Sequence, residues 1–270
     1  MSERNPSPVL TSYVAVACLC LLAPIVILCI LSFGGEGYIR FPPASYSLKW
    51  FSAFFGDSRW RQSLVSSTLI ALIACVIATL IGFMAAYALV RGEMRAKKLI
   101  LSLMLMPIIV PTVITAIAMY FLTAKVGLVG NLIWIGFCHA VVALPVVLLI
   151  LLSALQGVDV NLERAALSLG ASRTRVFFKV VVPIAMPGMM SAALFAFLAS
   201  FDELVISLFI AGARAQTLPV RIWNSLHLEI EPVVAAAATF LIAVTGLVLL
   251  VDAGVRRLRR RSHEAMGARE

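Results

Sequence analysis

The chain has 270 residues, of which 62% are hydrophobic and only 13% charged, with a mean hydropathy of +1.03. A soluble domain carries charge on about a quarter of its residues, so this composition excludes an ordinary globular protein and specifies an integral membrane protein. The net charge of +9 sits beside apolar runs with no nucleic-acid motif, so the expected partner is the lipid bilayer, not nucleic acid.

Six apolar runs are long enough to cross a hydrocarbon core of roughly 30 Å. They are Val9–Phe33, Ser63–Val90, Leu99–Thr123, Leu128–Leu155, Pro187–Ala211 and Val233–Val251. Each must satisfy its own backbone hydrogen bonds in lipid, which predicts helices and an all-α fold. A barrel would need many short alternating segments instead. The first run is longer than the apolar region of a signal peptide and reads as a retained span. The whole chain, 1–270, reads as a single transmembrane domain.

Between the first two spans lies "YSLKWFSAFFGDSRWRQSL". Trp50, Phe51, Phe54 and Phe55 cluster at near-helical spacing, which predicts a short helix at the outer interface. The third span carries Pro107 and Pro111. Each removes a helical hydrogen bond, so a bend is expected there. The five cysteines all lie in apolar runs without metal-ligand spacing, and read as small buried hydrophobes. No metal site is expected.

Orientation follows from Lys and Arg. With the N-terminus in the cytoplasm, the inside segments hold fifteen of these residues and the outside segments seven. Both termini are therefore expected in the cytoplasm, together with the segment 156–186.

That segment is the anomaly. "NLERAALSLGASRTRVFFKVVVPIAMPG", 161–188, interrupts the apolar runs with amphipathic, basic sequence. Leu162, Ala165, Ala166 and Leu169 share one helical face. Gly170 suits a left-handed stop, and Ser172 can cap a second helix through Val176, Phe177, Val180 and Val181. Pro183 is expected to end that helix and Pro187 to open the next span. The result is a helix–Gly–helix unit too short and too charged to cross. Three readings fit it: an interfacial helix without a partner, an ordinary structured loop, or a docking element for a soluble partner that moves the membrane helices.

These residues resemble the cytoplasmic coupling motif of ATP-binding-cassette importer permeases, which reads Glu-Ala-Ala, three residues, Gly-Ala-Ser, a basic–aromatic helix and two prolines. Ala165, Ala166, Leu169, Gly170, Ala171, Ser172, Phe177, Lys179, Pro183 and Pro187 match in order and spacing. The family's Glu is Arg164 here, with Glu163 beside it, and one residue turns a side chain by about 100° around a helix. "FPPASYSLKWFSAFF", "FDELVISLFIAG" and "TLPVRIWNSL" are similar to the second permease subunit of spermidine/putrescine importers. The resemblance covers residues 40–250.

It implies a type I importer permease in a bacterial inner membrane. It further implies a second, usually different, permease subunit, two copies of a separate P-loop ATPase and a periplasmic solute-binding protein. ATP and Mg would be held by the ATPase. The residues agree: no G-x-x-x-x-G-K-[ST] occurs, "GK" is absent, and only three histidines are present. The chain is expected to be non-catalytic and free of cofactors. On this resemblance Glu163, Arg164, Ala165, Ala166, Gly170, Ala171, Ser172, Phe177, Lys179 and Pro183 form the ATPase-coupling surface, with Phe177 filling a pocket on the partner.

Asp202 and Glu203 lie deep in the fifth span, where ionisable groups cost about 2.5–3.5 kcal/mol and mark functional positions. Two carboxylates suit a cationic cargo such as a polyamine, with Asp202 facing the pathway and Glu203 a neighbouring subunit. Their alternative is a purely structural hydrogen bond or ion pair. Tyr120, Trp134 and Trp223 fall where an aromatic belt is expected, and Tyr120 is also a candidate for contact with an amine. His139 and Asn131 read as hydrogen bonds between helices. Rival functions are the same machinery for an opine, amino-acid derivative or metal chelate, an ion-coupled secondary transporter, and a membrane scaffold. The inverted repeats expected of many secondary transporters are not visible.

Overall fold

The computed structural model describes residues 8–228 and 231–267. Among them the chain is helical, with one isolated bridge between Gly34 and Tyr46. In order the helices are α1 (Pro8–Ser32), α2 (Lys49–Gly56), α3 (Ser58–Arg91), α4 (Lys97–Ile109), α5 (Thr112–Lys125), α6 (Leu132–Gln156), α7 (Val160–Ser168) and α8 (Arg173–Val176). A π-helical turn (Phe177–Val181) leads into α9 (Val182–Phe201), followed by α10 (Val205–Ile210), α11 (Leu218–Leu228) and α12 (Val233–Gly267). Five stretches are long and apolar enough to cross a membrane, and the α4–α5 pair, bent by 100°, makes a sixth if it is one broken span. The all-helical membrane fold expected from composition is therefore present.

The chain forms two compact units. One comprises residues up to Arg61 together with Arg221–Ala243. Its α2 is the short aromatic helix that the sequence predicts. Phe54 is buried against the rings of Phe55, Phe240 and Trp60, at 4.8, 5.5 and 5.7 Å between centroids. Asp57 then starts α3, its Oδ1 accepting the amides of Arg59 and Trp60 at 2.7 and 3.2 Å. The segment around Trp223 and Asn224 is helical, lying in α11, and Trp223 packs on His227 at 4.3 Å. Helix α1 is exposed over most of its length, its last turn excepted, where Ser32 is buried. Cys18 and Cys20 on it point outward, and only Cys138 of the five cysteines is buried. The expectation of buried thiols therefore fails at Cys18 and Cys20.

The second unit comprises Gln62–Val220 and the chain from Val244 on. Its core is built from α3, α6 and α9. Ala74, Ala78, Leu148, Leu151, Ala185, Ala192 and Ala196 pack together. Small residues let these helices approach closely, the usual device where lipid removes a hydrophobic drive for association. A Cβ on Gly188 would collide with the Cβ of Ala154.

The bend expected in the third span is present, and two other expectations are corrected. Pro111 has no amide to donate, and it pushes Val110 into an extended conformation (φ −76°, ψ 130°), so α4 and α5 part company there. Pro183 does not end the second coupling helix. The π-helical turn directly before it pairs the amide of Val182 with the carbonyl of Phe177, and the helix runs on through Pro183 and Pro187 into α9. The wider turn re-spaces the carbonyls that a proline ring would otherwise strike. The fifth span stops at Phe201 instead of Ala211, and a break at 202–204 separates it from α10.

Candidate functional site

The coupling segment is built as a capped helix, a left-handed glycine and a second capped helix. Asp159 accepts the amide of Asn161 at 2.8 Å and starts α7. Gly170 has φ +86° with nothing within 4 Å of where a Cβ would stand, so backbone conformation, not space, requires glycine there. Ser172 Oγ accepts the amide of Arg175 at 3.3 Å and starts α8.

What the sequence leaves open is how this unit is fixed to the spans. Glu163 is buried, and Arg91 at the end of α3 donates to it from Nε at 2.7 Å. Arg91 Nη2 also donates to the carbonyl of Val158 at 2.7 Å. Tyr87 Oη lies 3.5 Å from the second Glu163 oxygen. Tyr87, Arg91, Glu163, Arg164 and Arg173 line a cleft of about 550 Å³. Glu163 therefore does not look outward, whereas Arg164 is exposed. Arg91 and Tyr87 escape the sequence reading, which sees "RGEMRAKK" only as a charge bias. Their one signal is a cationic residue ending a span one turn after an aromatic.

The surface left free is apolar with a basic rim. Leu162 is 49% exposed, Leu169 89% and Phe178 62%. Ala165, Ser172, Lys179 and Pro183 are also exposed, and Ala166 and Ala171 partly so. Phe177, expected to enter a partner, instead packs inward on Tyr87 and Phe83, with centroids 4.9 and 5.8 Å away. It lies at the start of the π-helical turn, and its neighbour Phe178 takes the outward position.

The acids of the fifth span lie in the break. Asp202 is the C-cap of α9 and is exposed. Glu203 Oε1 accepts the amide of Ile206 at 3.0 Å, an amide that an unbroken helix would direct to the carbonyl of Asp202. The two are therefore not neighbours on one helix surface. Tyr120 lies on α5 against Phe121, with centroids 6.0 Å apart, and α5 packs against α10. His139 does join helices: its Nδ1 lies 2.8 Å from Ser200 Oγ and its Nε2 3.0 Å from Ser207 Oγ. Asn131 does not, because it caps the start of α6 by accepting the amide of Trp134 at 3.0 Å. Trp134 Nε1 donates to Thr123 Oγ1 at 2.8 Å, tying α6 to α5.

Comparison with known proteins gives this architecture its family. The family described as binding-protein-dependent transport system inner membrane component matches residues 78–263. The chain belongs to that family. It is 31% identical over 231 residues to the spermidine/putrescine transport system permease protein PotC of Haemophilus influenzae, covering 86% of this chain and 89% of that one. It is also 31% identical to the putrescine transport system permease protein PotI of Escherichia coli, covering 84% and 83%. Among solved structures it resembles a bacterial ABC transporter that imports the polysaccharide alginate, with TM-score 0.73, 16% identity and coverage of 93% and 98%. It also resembles the MetNI methionine ABC transporter, with TM-score 0.59, 19% identity and coverage of 77% and 97%. The fold is thus that of ABC importer permeases, and the chain is a multi-pass membrane permease subunit.

Proposed function

We propose that this chain is a permease subunit of an ATP-driven importer for a small cationic solute of the polyamine class, such as putrescine or spermidine. The observation that carries the reading is the helix–Gly–helix unit. It is anchored to α3 by the Arg91–Glu163 pair and presents Leu162, Leu169 and Phe178 outward. Exposed apolar side chains on a rim of charge are what a docking surface needs. A separate P-loop ATPase, present twice and holding ATP and Mg, docks there from the cytoplasm. A second permease subunit completes the pathway, and a periplasmic solute-binding protein delivers cargo from the other side. Both termini lie in the cytoplasm.

Polyamine cargo is supported by the likeness to spermidine/putrescine and putrescine permeases and by Asp202, an exposed carboxylate at a helix break in the fifth span. Broken helices line transport sites because backbone out of helical register is tolerated only against protein or a water-filled cavity. A second solute class has a specific observation in its favour. The chain is 29% identical over 214 residues to the sulfoquinovosyl glycerol transport system permease protein SmoH of Agrobacterium fabrum.

The test is co-purification and binding. The tagged chain should carry a P-loop ATPase with it, hydrolyse no ATP alone, and assemble into a complex whose ATPase is stimulated by putrescine-loaded binding protein. Stimulation by sulfoquinovosyl glycerol but not by putrescine would favour the second solute. ATP hydrolysis by the chain alone would overturn the permease reading.

A further inference from the structure

The imidazole of His139 joins two helices on opposite sides of a break. Ser200 stands in the last turn of α9, and Ser207 in α10. Between them the chain leaves helical form at 202–204. His139 stands about two turns into α6, which packs along α9 and touches α10. The ring is 2% exposed, Ser200 4% and Ser207 0%, so no water competes for the two bonds. An imidazole with one N–H and one bare nitrogen donates to one hydroxyl and accepts from the other, so the same ring satisfies both.

We infer that His139 is a positioning residue for cargo passage: by clasping Ser200 and Ser207 it sets the length and angle of the break, and so the place of Asp202 in the pathway.

Three features support this over a core hydrogen bond that could stand anywhere. The partners are seven residues apart, across the one place where α9 and α10 separate. The Glu203 side chain secures the far side of the break through the amide of Ile206, and its backbone amide donates to the Ser200 carbonyl at 3.3 Å, so the Ser200 hydroxyl is left to His139. Asp202 is exposed while the groups that fix it are buried. A clasp of two hydrogen bonds is also readily reversible, since each contributes a net factor of only about tenfold or less. α9 and α10 can therefore reorient during transport when one bond opens and the other holds.

The inference rests on the reading that Asp202 meets the cargo, and the experiment separates the two. The assembled transporter is reconstituted in nanodiscs and proteoliposomes with His139→Leu, His139→Gln, Ser207→Ala and Asp202→Asn. Leucine keeps the volume and removes both bonds. The glutamine amide keeps one donor and one acceptor. Uptake of labelled putrescine and spermidine is measured at saturation and at low concentration, normalised to assembled complex. Amide hydrogen exchange is read over α6, α9 and α10.

Expected results are a KM raised about tenfold in His139→Leu and Ser207→Ala, a changed putrescine-to-spermidine preference, and recovery to within about threefold in His139→Gln. Faster exchange should be confined to residues 200–210. Unchanged KM and preference in His139→Leu would overturn the inference, and so would faster exchange spread through α6 and α9 with loss of assembly. If Asp202→Asn transports normally while His139→Leu does not, the clasp stands and the role of Asp202 falls.

Discussion

Arg91, at the end of α3, holds Glu163 of α7 by an ion pair of 2.7 Å between residues seventy-two positions apart. The same guanidinium takes the carbonyl of Val158 just before α7. A rigid connection thus runs from the surface proposed to meet the ATPase into a helix that crosses the membrane. Motion of α7 should pull on α3 through this pair. Arg91→Ala or Glu163→Ala leaves the other charge largely buried and unpaired, which costs about 3–5 kcal/mol for a buried pair. ATP hydrolysis should continue in both variants while uptake falls at least tenfold. Arg91→Glu combined with Glu163→Arg should recover part of the loss, which a double-mutant cycle on uptake measures directly.

Gly170 should tolerate no other L residue well, although space is open around it. Gly170→Ala places a Cβ in a left-handed backbone at a cost of roughly 1–2 kcal/mol. Asparagine, which visits that region more readily, should cost less than alanine. Thermal melting of the detergent-solubilised complex and uptake per complex should rank Gly, Asn, Ala in falling order.

Phe177 and Phe178 should behave oppositely. Phe178→Ala removes an exposed ring and should leave the amount of protein in the membrane unchanged while weakening ATPase retention. Phe177→Ala removes ring contacts with Phe83, Tyr87 and Phe178 worth about 0.5–1.5 kcal/mol each and should lower thermal stability and protein level first. Membrane content and co-purified ATPase, measured for both, distinguish the roles. Equal loss of ATPase at equal stability would contradict them.

The two acids should also separate. Asp202→Asn keeps shape and removes charge, so uptake of a polyamine should fall severely while assembly persists. Glu203→Gln retains an oxygen that can accept the Ile206 amide and should cost only about 0.5–1.5 kcal/mol of stability. Glu203→Ala removes the acceptor and should loosen α10. Uptake of labelled polyamine and assembled complex, measured on the same preparations, provide the comparison.

Much of this was legible in the sequence because single-residue chemistry dictates it. Long apolar runs must be helices, Gly170 must stop one, Ser172 can cap the next, and the aromatic cluster at 50–55 forms a short helix. The remainder depends on pairs and on register. Nothing in one sequence ties Arg91 to Glu163. The break at 202–204 contains neither glycine nor proline, and it is stabilised by Glu203 turning back to cap α10 and by a histidine more than sixty residues away. Helical spacing groups Phe177 with Val176, Val180 and Val181, and it is this face that packs inward and leaves Phe178 outside; what spacing alone does not say is whether that face meets the spans or a partner. At Pro111 the sequence announces a bend, but not its size of 100°.

The most direct test of the account is ATP-driven uptake of labelled putrescine in proteoliposomes containing this chain, its partner permease, the ATPase and the loaded binding protein, with Leu169→Glu as the variant. Leu169 is the most exposed large apolar side chain of the coupling surface, and a carboxylate there opposes docking without touching the membrane core. The account predicts ATP-dependent uptake in the wild type, and its loss in Leu169→Glu together with the bound ATPase. Uptake driven by an ion gradient without ATP, or wild-type uptake in Leu169→Glu, would contradict it.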